Sequence, residues 1–228
     1  MAKLQTRDIE ILKLCYEQQF VLRSHVESFF HGSCAEREAR RRIQELGGLR
    51  LLRRELTPIL KQPAYRVTKA GCTVAELNGS PYLKPQARIS LVNSVHDAKV
   101  TSVRLRISKL WNANFTPERA LKENDLYEIP DGVFTFASGV NVALELENSV
   151  KSRSRLVKLC GRWNSIQSIN LVLYVAATAA IEKTVKVAVT AAQSTKPIGV
   201  IHYDKLFTDS PAVWTVKGES FWFSRREL

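Results

Sequence analysis

The stretch IPDGVFTFASGVNVALELENSVKSRSR, Ile129 to Arg155, decides the fold. Its second half alternates. Across Asn141–Asn148, Val142, Leu144 and Leu146 share one face and Glu145 and Glu147 the other, the period of a β-strand. In the preceding run Phe134 and Phe136 share a face, and Asp131, Val133 and Thr135 take the opposite one. Joining the two through Ser138-Gly139-Val140 gives a hairpin of permitted loop length. With both apolar faces on one core, Phe136 opposes Val142 and Phe134 opposes Leu144. Asp131 then comes opposite Glu147, beside Glu145. A slip of one residue would send Asp131 to the wrong side of the sheet.

Three converging carboxylates repel one another and are stable chiefly around a cation. Oxygen donors of this kind suit Mg²⁺ or Mn²⁺. Such an ion polarises a phosphodiester and generates a hydroxide nucleophile. Lys151, Arg153, Arg155 and Lys158 lie just beyond and would hold phosphate or stabilise transition-state charge. The plainer reading makes Glu145 and Glu147 solvent-facing residues paired with Lys or Arg of a neighbouring element.

Outward from this hairpin the periodicities predict a long helix over Ile89–Trp111 and a short strand or loop over Phe115–Leu121. A helix is expected over Lys151–Trp163 and a buried strand over Ile169–Ala176. An alanine- and valine-rich helix over Ala180–Ala192, a strand over Ile198–Tyr203 and an edge strand within Val213–Phe223 complete the pattern. The order is that of an α/β domain with a mixed sheet.

The N-terminal part reads differently. Helices are expected from Thr6 to Tyr16, after Arg23-Ser24, and from Cys34 to Leu46, the last ended by Gly47-Gly48. A period of two then runs through Leu49–Leu56, a Thr57-Pro58 turn follows, and Ala64–Val67 returns as the partner strand. Thr68–Leu77 closes the segment as a helix. Three helices and then a basic ribbon follow the winged helix-turn-helix plan, in which one helix enters the DNA major groove. Arg37, Arg40, Arg41, Arg42, Arg50, Arg53, Arg54 and Lys61 lie on the expected recognition helix and wing, against Glu36, Glu38, Glu45 and Glu55. The expected organisation is a winged helix over 1–80, a linker over 81–88 and the α/β domain over 89–228.

Composition supports a nucleic-acid partner. The chain has 228 residues, 34 Lys and Arg against 22 Asp and Glu, and a formal net charge of +12. An excess of this size favours an anionic polymer. No stretch is long and apolar enough to span a membrane, and the charged N-terminus lacks a signal-peptide core, so the expected location is cytoplasmic. Cys15, Cys34, Cys72 and Cys160 form no C-x-x-C, so neither zinc nor a disulfide framework is expected. The absence of a phosphate-binding glycine loop argues against ATP-driven chemistry. Tyr174 and Tyr203 lack paired histidines and read as core or strand residues.

Pro130-Asp131, Ala143-Leu144-Glu145-Leu146-Glu147 and Lys151-Ser152 together resemble the PD-(D/E)xK nuclease core. More narrowly, the chain is similar to the replication-relaxation family, which includes MobC-type conjugative relaxases. The winged helix, His96-Asp97 within the long helix and Pro117-Glu118 extend the resemblance from Thr6 to Tyr174. It implies a restriction-endonuclease-like mixed-sheet domain and metal-dependent nicking of DNA in plasmid mobilisation or replication. Asp131, Glu145 and Glu147 would bind the metal, Glu118 would assist, and Lys151 would be the catalytic lysine. The implied partners are double-stranded DNA with an origin-like site and other relaxosome or mobilisation proteins, a homodimer being left open. One departure stands out. Glu147 occupies the place of the motif's lysine, so a basic residue of the next helix must reach in, with Arg155 and Lys158 as alternatives to Lys151. Without such a residue the protein is a non-catalytic DNA-binding accessory factor or regulator with an inactive nuclease-like domain.

Overall fold

A computed structural model of the chain describes residues 4–56, 60, 62–84, 88–122 and 129–220. The fold is mixed α/β, with a small antiparallel sheet and a larger mixed sheet. Two compact units divide the chain, Met1–Leu105 and Arg106–Leu228.

The first unit begins with α1 (Thr6–Glu17), β1 (Val21–Leu22), α2 (Arg23–Glu27) and α3 (Ala35–Gly48). It continues with β2 (Leu52–Glu55), β3 (Ala64–Val67) and α4 (Lys69–Leu77). The ribbon has three strands rather than the expected two, in the order β1-β3-β2. Val21 and Leu22 pair with Tyr65 and Ala64 because both are apolar and buried against the helices. Ile11, Leu12, Cys15, Val26, Ala39, Ile43, Leu46 and Leu52 form the core between them. The Thr57-Pro58 turn and Lys61 lie outside the described residues.

A buried charge pair locks this unit. Asp8 is fully buried, accepts from the Gln5 backbone N–H at 2.6 Å, and is gripped through both oxygens by Arg42. Losing either partner would strand the other charge away from water, which is strongly destabilising.

The first unit runs past the linker expected over 81–88. The Leu83 N–H donates to the Tyr16 hydroxyl at 2.8 Å, and the Ser80 hydroxyl donates to Glu17 at 2.7 Å. Ile89 packs with Phe20, Leu22 and Ala64. Consequently α5 (Ser94–Trp111) starts at Ser94 rather than Ile89, and the division between units falls within it.

The second unit holds β4 (Asn114–Pro117), α6 (Glu118–Leu121), β5 (Gly132–Thr135), β6 (Asn141–Glu147) and α7 (Arg153–Arg162). After them come β7 (Leu171–Ala176), α8 (Ala179–Ala192), β8 (Ile198–His202), α9 (Tyr203–Leu206), β9 (Val213–Thr215) and β10 (Gly218–Ser220). The tail strand expected to reach Phe223 is described to Ser220. The seven strands stand in the order β4-β5-β6-β7-β8-β9-β10. The first three form an antiparallel meander, and β6, β7 and β8 run parallel. Parallel neighbours need a crossover, which α7 and α8 supply. Ala143, Val172, Tyr174 and Ala176 pack with Leu156 and Cys160 of α7 and with Ile181, Val185 and Val189 of α8. Phe134, on the opposite face of the sheet, meets the Trp111 ring in a T-shaped contact with centroids 5.3 Å apart.

The β5–β6 register corrects the expected one by two residues. Phe134 pairs with Val142 and Gly132 with Leu144, so Asp131 falls at the level of Glu145 rather than Glu147. The cause is the turn. Gly139 has a φ of +82°, and the Phe136 N–H closes the loop by donating to the Val140 carbonyl at 2.9 Å. A three-residue hairpin loop ends on a residue in the left-handed region, and glycine enters it without steric cost. The loop is therefore Ala137-Ser138-Gly139, one residue earlier than expected. Because the shift is two residues in pairing, every side chain keeps its expected face.

His25 gives this fold a pH limit. Its Nδ1 accepts from the Leu22 N–H at 3.1 Å, its Nε2 lies 3.0 Å from the Ser102 hydroxyl, and burial pushes it down to about 4. The folded state holds the neutral ring, so this stability is present above the unfolded value of about 6.5 and is lost as pH falls toward 4. Urea titrations should show stability falling by up to about 1.4 kcal/mol per pH unit across that window. His25→Gln should remove that slope.

Candidate functional site

The strand registers set an acidic level across the sheet. Gly132 pairs with Pro117 on one side and Leu144 on the other, and Leu144 pairs with Leu173. One residue further along, the Glu118 N–H donates to the Asp131 carbonyl at 3.2 Å, and the Asp131 N–H donates to the Leu144 carbonyl at 3.0 Å. At this level Glu145 pairs with Tyr174. Glu118 just beyond β4, Asp131 just before β5, Glu145 of β6 and Tyr174 of β7 thus follow one another at one level. Glu147 lies two residues further along β6.

Each carboxylate is held differently. The Asp131 Oδ2 accepts from the Leu146 N–H at 2.7 Å, so the side chain continues the hydrogen-bonded ladder past the end of β5. Glu118 opens α6 and pairs with Lys122 at 2.7 Å on the surface. Glu145 is half-buried. Glu147 is 2% exposed, and its Oε1 accepts from the Lys151 ammonium at 2.5 Å. Of the three basic residues considered for the lysine role, Lys151 makes this contact, whereas Arg155 and Lys158 are exposed on α7.

Behind the carboxylates lies a buried polar cluster built on Tyr174, expected from the sequence as a core or strand residue. The Trp163 indole N–H donates to the Tyr174 hydroxyl at 3.0 Å, and the Cys160 thiol lies 3.9 Å from it. Burial, reinforced by the Glu145 charge, raises Tyr174 well above its ordinary value. Burial pushes Cys160 up to about 11, with the charges of Glu147 and Glu145 adding to it. Glu145 pairs with Tyr174 and shares a face with Ala143, which packs on α7, so that carboxylate lies on the α7 side of the sheet. Nothing in the local sequence marked Tyr174, because its role depends on pairing with a strand distant in the chain.

Asp131, Glu145, Glu147 and Glu118 offer only oxygen donors, the chemistry suited to Mg²⁺ or Mn²⁺. Among the described residues, no three His, Cys, Asp or Glu side chains are grouped so as to hold a metal ion. The hairpin nevertheless brings Asp131 to the level of Glu145, while Glu147 is committed to Lys151. His96 belongs to the first unit, in the first turn of α5, its Nδ1 3.5 Å from Asp97.

The basic residues of the first unit fall into two groups. Arg42 turns inward onto Asp8 and Glu45 and is mostly buried. Arg37, Arg40 and Arg41 are exposed along α3, as are Arg50, Arg53 and Arg54 at and beyond its end. Arg41 bridges Glu38 at 2.9 Å and Glu45 at 2.6 Å, and Arg53 meets Glu55 at 2.8 Å. Exposed pairs of this kind are weak and readily exchanged for another anion.

Comparison with known proteins found no matching family model, no matching curated protein and no matching solved structure. Among the described residues, no helix is long and apolar enough to cross a membrane.

The half-buried Lys151 neutralises an almost fully buried carboxylate. Lys151→Met should lower stability by about 1–3 kcal/mol, less than for a fully buried pair because Lys151 is partly solvated. Lys151→Arg should lose less. Paired thermal and urea melts would measure both.

Proposed function

We propose that the chain binds double-stranded DNA through a winged helix in its first unit. The second unit then acts as a restriction-endonuclease-like, metal-dependent nicking enzyme of the kind found in plasmid mobilisation or replication. The observation that carries this reading is the Lys151–Glu147 contact. Glu147 stands on β6 at the place of the motif's lysine, and its carboxylate draws the Lys151 ammonium to that place from just ahead of the next helix. A positive group is thereby restored two residues beyond Glu145.

The surrounding topology supports the same reading. The order α5, β4, β5, β6, α7, β7, with an antiparallel meander followed by a parallel strand, agrees with the nuclease-like core. Asp131 and Glu145 are the pair best placed to hold Mg²⁺ or Mn²⁺, with Glu118 beside them. The ion would polarise the phosphodiester and activate a water. Lys151 would hold the scissile phosphate or offset its developing charge. In the first unit, three helices and a ribbon closed by β1 support the winged-helix reading. Exposed Arg37, Arg40, Arg41, Arg50, Arg53 and Arg54 would contact phosphate, while Arg42 serves the fold. An origin-like duplex and other mobilisation proteins are the corresponding partners.

A second reading follows from the same contact. With Glu147 neutralised by Lys151 and no three-ligand group among the described residues, the second unit would be non-catalytic and the protein a DNA-binding accessory factor or regulator.

Nicking of supercoiled plasmid carrying the cognate origin, with Mg²⁺ or Mn²⁺, separates the two. The enzyme reading expects Asp131→Asn and Glu145→Gln to reduce nicking by about 10²–10³-fold while binding persists. Lys151→Ala should do the same, and Glu147→Lys in the Lys151→Ala background should recover part of the activity. Metal-independent nicking, or nicking indifferent to Asp131 and Glu145, would exclude it.

Binding carries its own prediction. Affinity should fall steeply with salt, and Arg40→Ala or Arg54→Ala should each reduce the log–log salt slope by about 0.9. Fluorescence anisotropy over a salt series measures this.

A further inference from the structure

Between α3 and the ribbon of the first unit lies a groove of about 270 Å³. Its floor is apolar, made by buried Ile43 and Leu52. Tyr65 of β3 forms a half-buried aromatic wall, and Arg54 stands directly across the ladder from it on β2. Arg40 and Gln44, one turn apart on α3, form the opposite rim.

The charges of this groove are available. Among the described residues Arg54 has no acidic partner, and Arg40 has only Glu36, at 3.4 Å with both side chains more than half exposed. Gln44 is exposed and offers both a donor and an acceptor from one planar group. An apolar floor, an aromatic wall, an amide and two guanidiniums at the mouth together match one nucleotide: a flat heterocycle inside and a phosphate at the edge. The groove is smaller than the roughly 300 Å³ at which drug-sized pockets begin. A base within a duplex has both faces covered by its neighbours and cannot reach the Tyr65 wall. An unpaired base can.

We propose that this groove binds a single unstacked nucleotide from single-stranded DNA adjoining the duplex, with Arg40 and Arg54 on its phosphate, Tyr65 against its base and Gln44 on its base edge. This rests on the DNA-binding reading and adds to it a preference for a duplex-to-single-strand junction. Base–aromatic contact is sequence-tolerant, whereas a glutamine amide favours adenine.

The test compares three labelled DNAs by anisotropy at one salt concentration, using the full chain. These are a blunt duplex, the duplex with a single-stranded extension, and the duplex with an extension of abasic nucleotides. The abasic extension has the same phosphates and no bases. The base-bearing extension should bind about tenfold more tightly than the abasic one. Gln44→Ala, an exposed substitution, should shrink that ratio, and Tyr65→Leu should bring it close to one, both with blunt-duplex affinity retained. Equal affinity of the wild-type protein for the base-bearing and abasic extensions would overturn the proposal. So would a ratio untouched by both variants. Failure to bind any of the three DNAs at low salt would instead overturn the DNA-binding reading itself.

Discussion

Gly139, with a φ of +82°, ends the loop between β5 and β6 and thereby fixes how those strands pair. Glycine enters that conformation without the strain a Cβ would bring, which favours closure of the turn at this position. From that closure follow the pairing of Phe134 with Val142 and the T-shaped contact of Trp111 with Phe134. The placing of Asp131 level with Glu145 follows as well. Gly132 reinforces the register. A Cβ there would fall 2.0 Å from the tip of the Phe115 ring, so any other residue would have to displace that side chain. The acidic level is thus held by backbone geometry, and its carboxylates need not attract one another to stay together.

The handling of charge is the second theme. The net of +12 suggests a surface covered with free arginine, yet several basic groups are consumed internally. Arg42 grips Asp8, Arg104 donates to Glu17 at 2.5 Å, and Arg66 meets Glu55 at 3.0 Å, all largely buried. Each acid would be costly to bury alone, and each pairing removes an arginine from the outer surface. Exposed arginines of the first unit line α3 and the strand that follows it. In the second unit the same rule places Lys151 beside Glu147.

Much was legible in the sequence because the signals are local. The period of two in Val142–Glu147 and the apolar run Val172–Ala176 follow from side-chain geometry alone. So does the assignment of Glu145 and Glu147 to one face, whereas the basic helix expected to stop before Gly47-Gly48 runs on through Gly48, with Arg50 as the left-handed residue beyond it. The face of Asp131 was also fixed locally, because a two-residue shift in pairing leaves faces unchanged. What the sequence did not reveal depends on partners distant in the chain. Leu83 read as linker and Ile89 as the start of the long helix, but they are held by Tyr16 and Phe20. Arg42 resembles its neighbours on α3 in every local respect and differs only because Asp8 lies opposite it.

By itself the sequence determined the mixed α/β class, the basic helix and the presence of acidic strands, since hydrophobic period and charge spacing act over a few residues. Only the tertiary structure decided which carboxylates share a level, which arginines face outward, and that Tyr174 and Trp163 stand behind Glu145. Those relations are set by strand register and by the pairing of buried charges, and both join residues far apart along the chain.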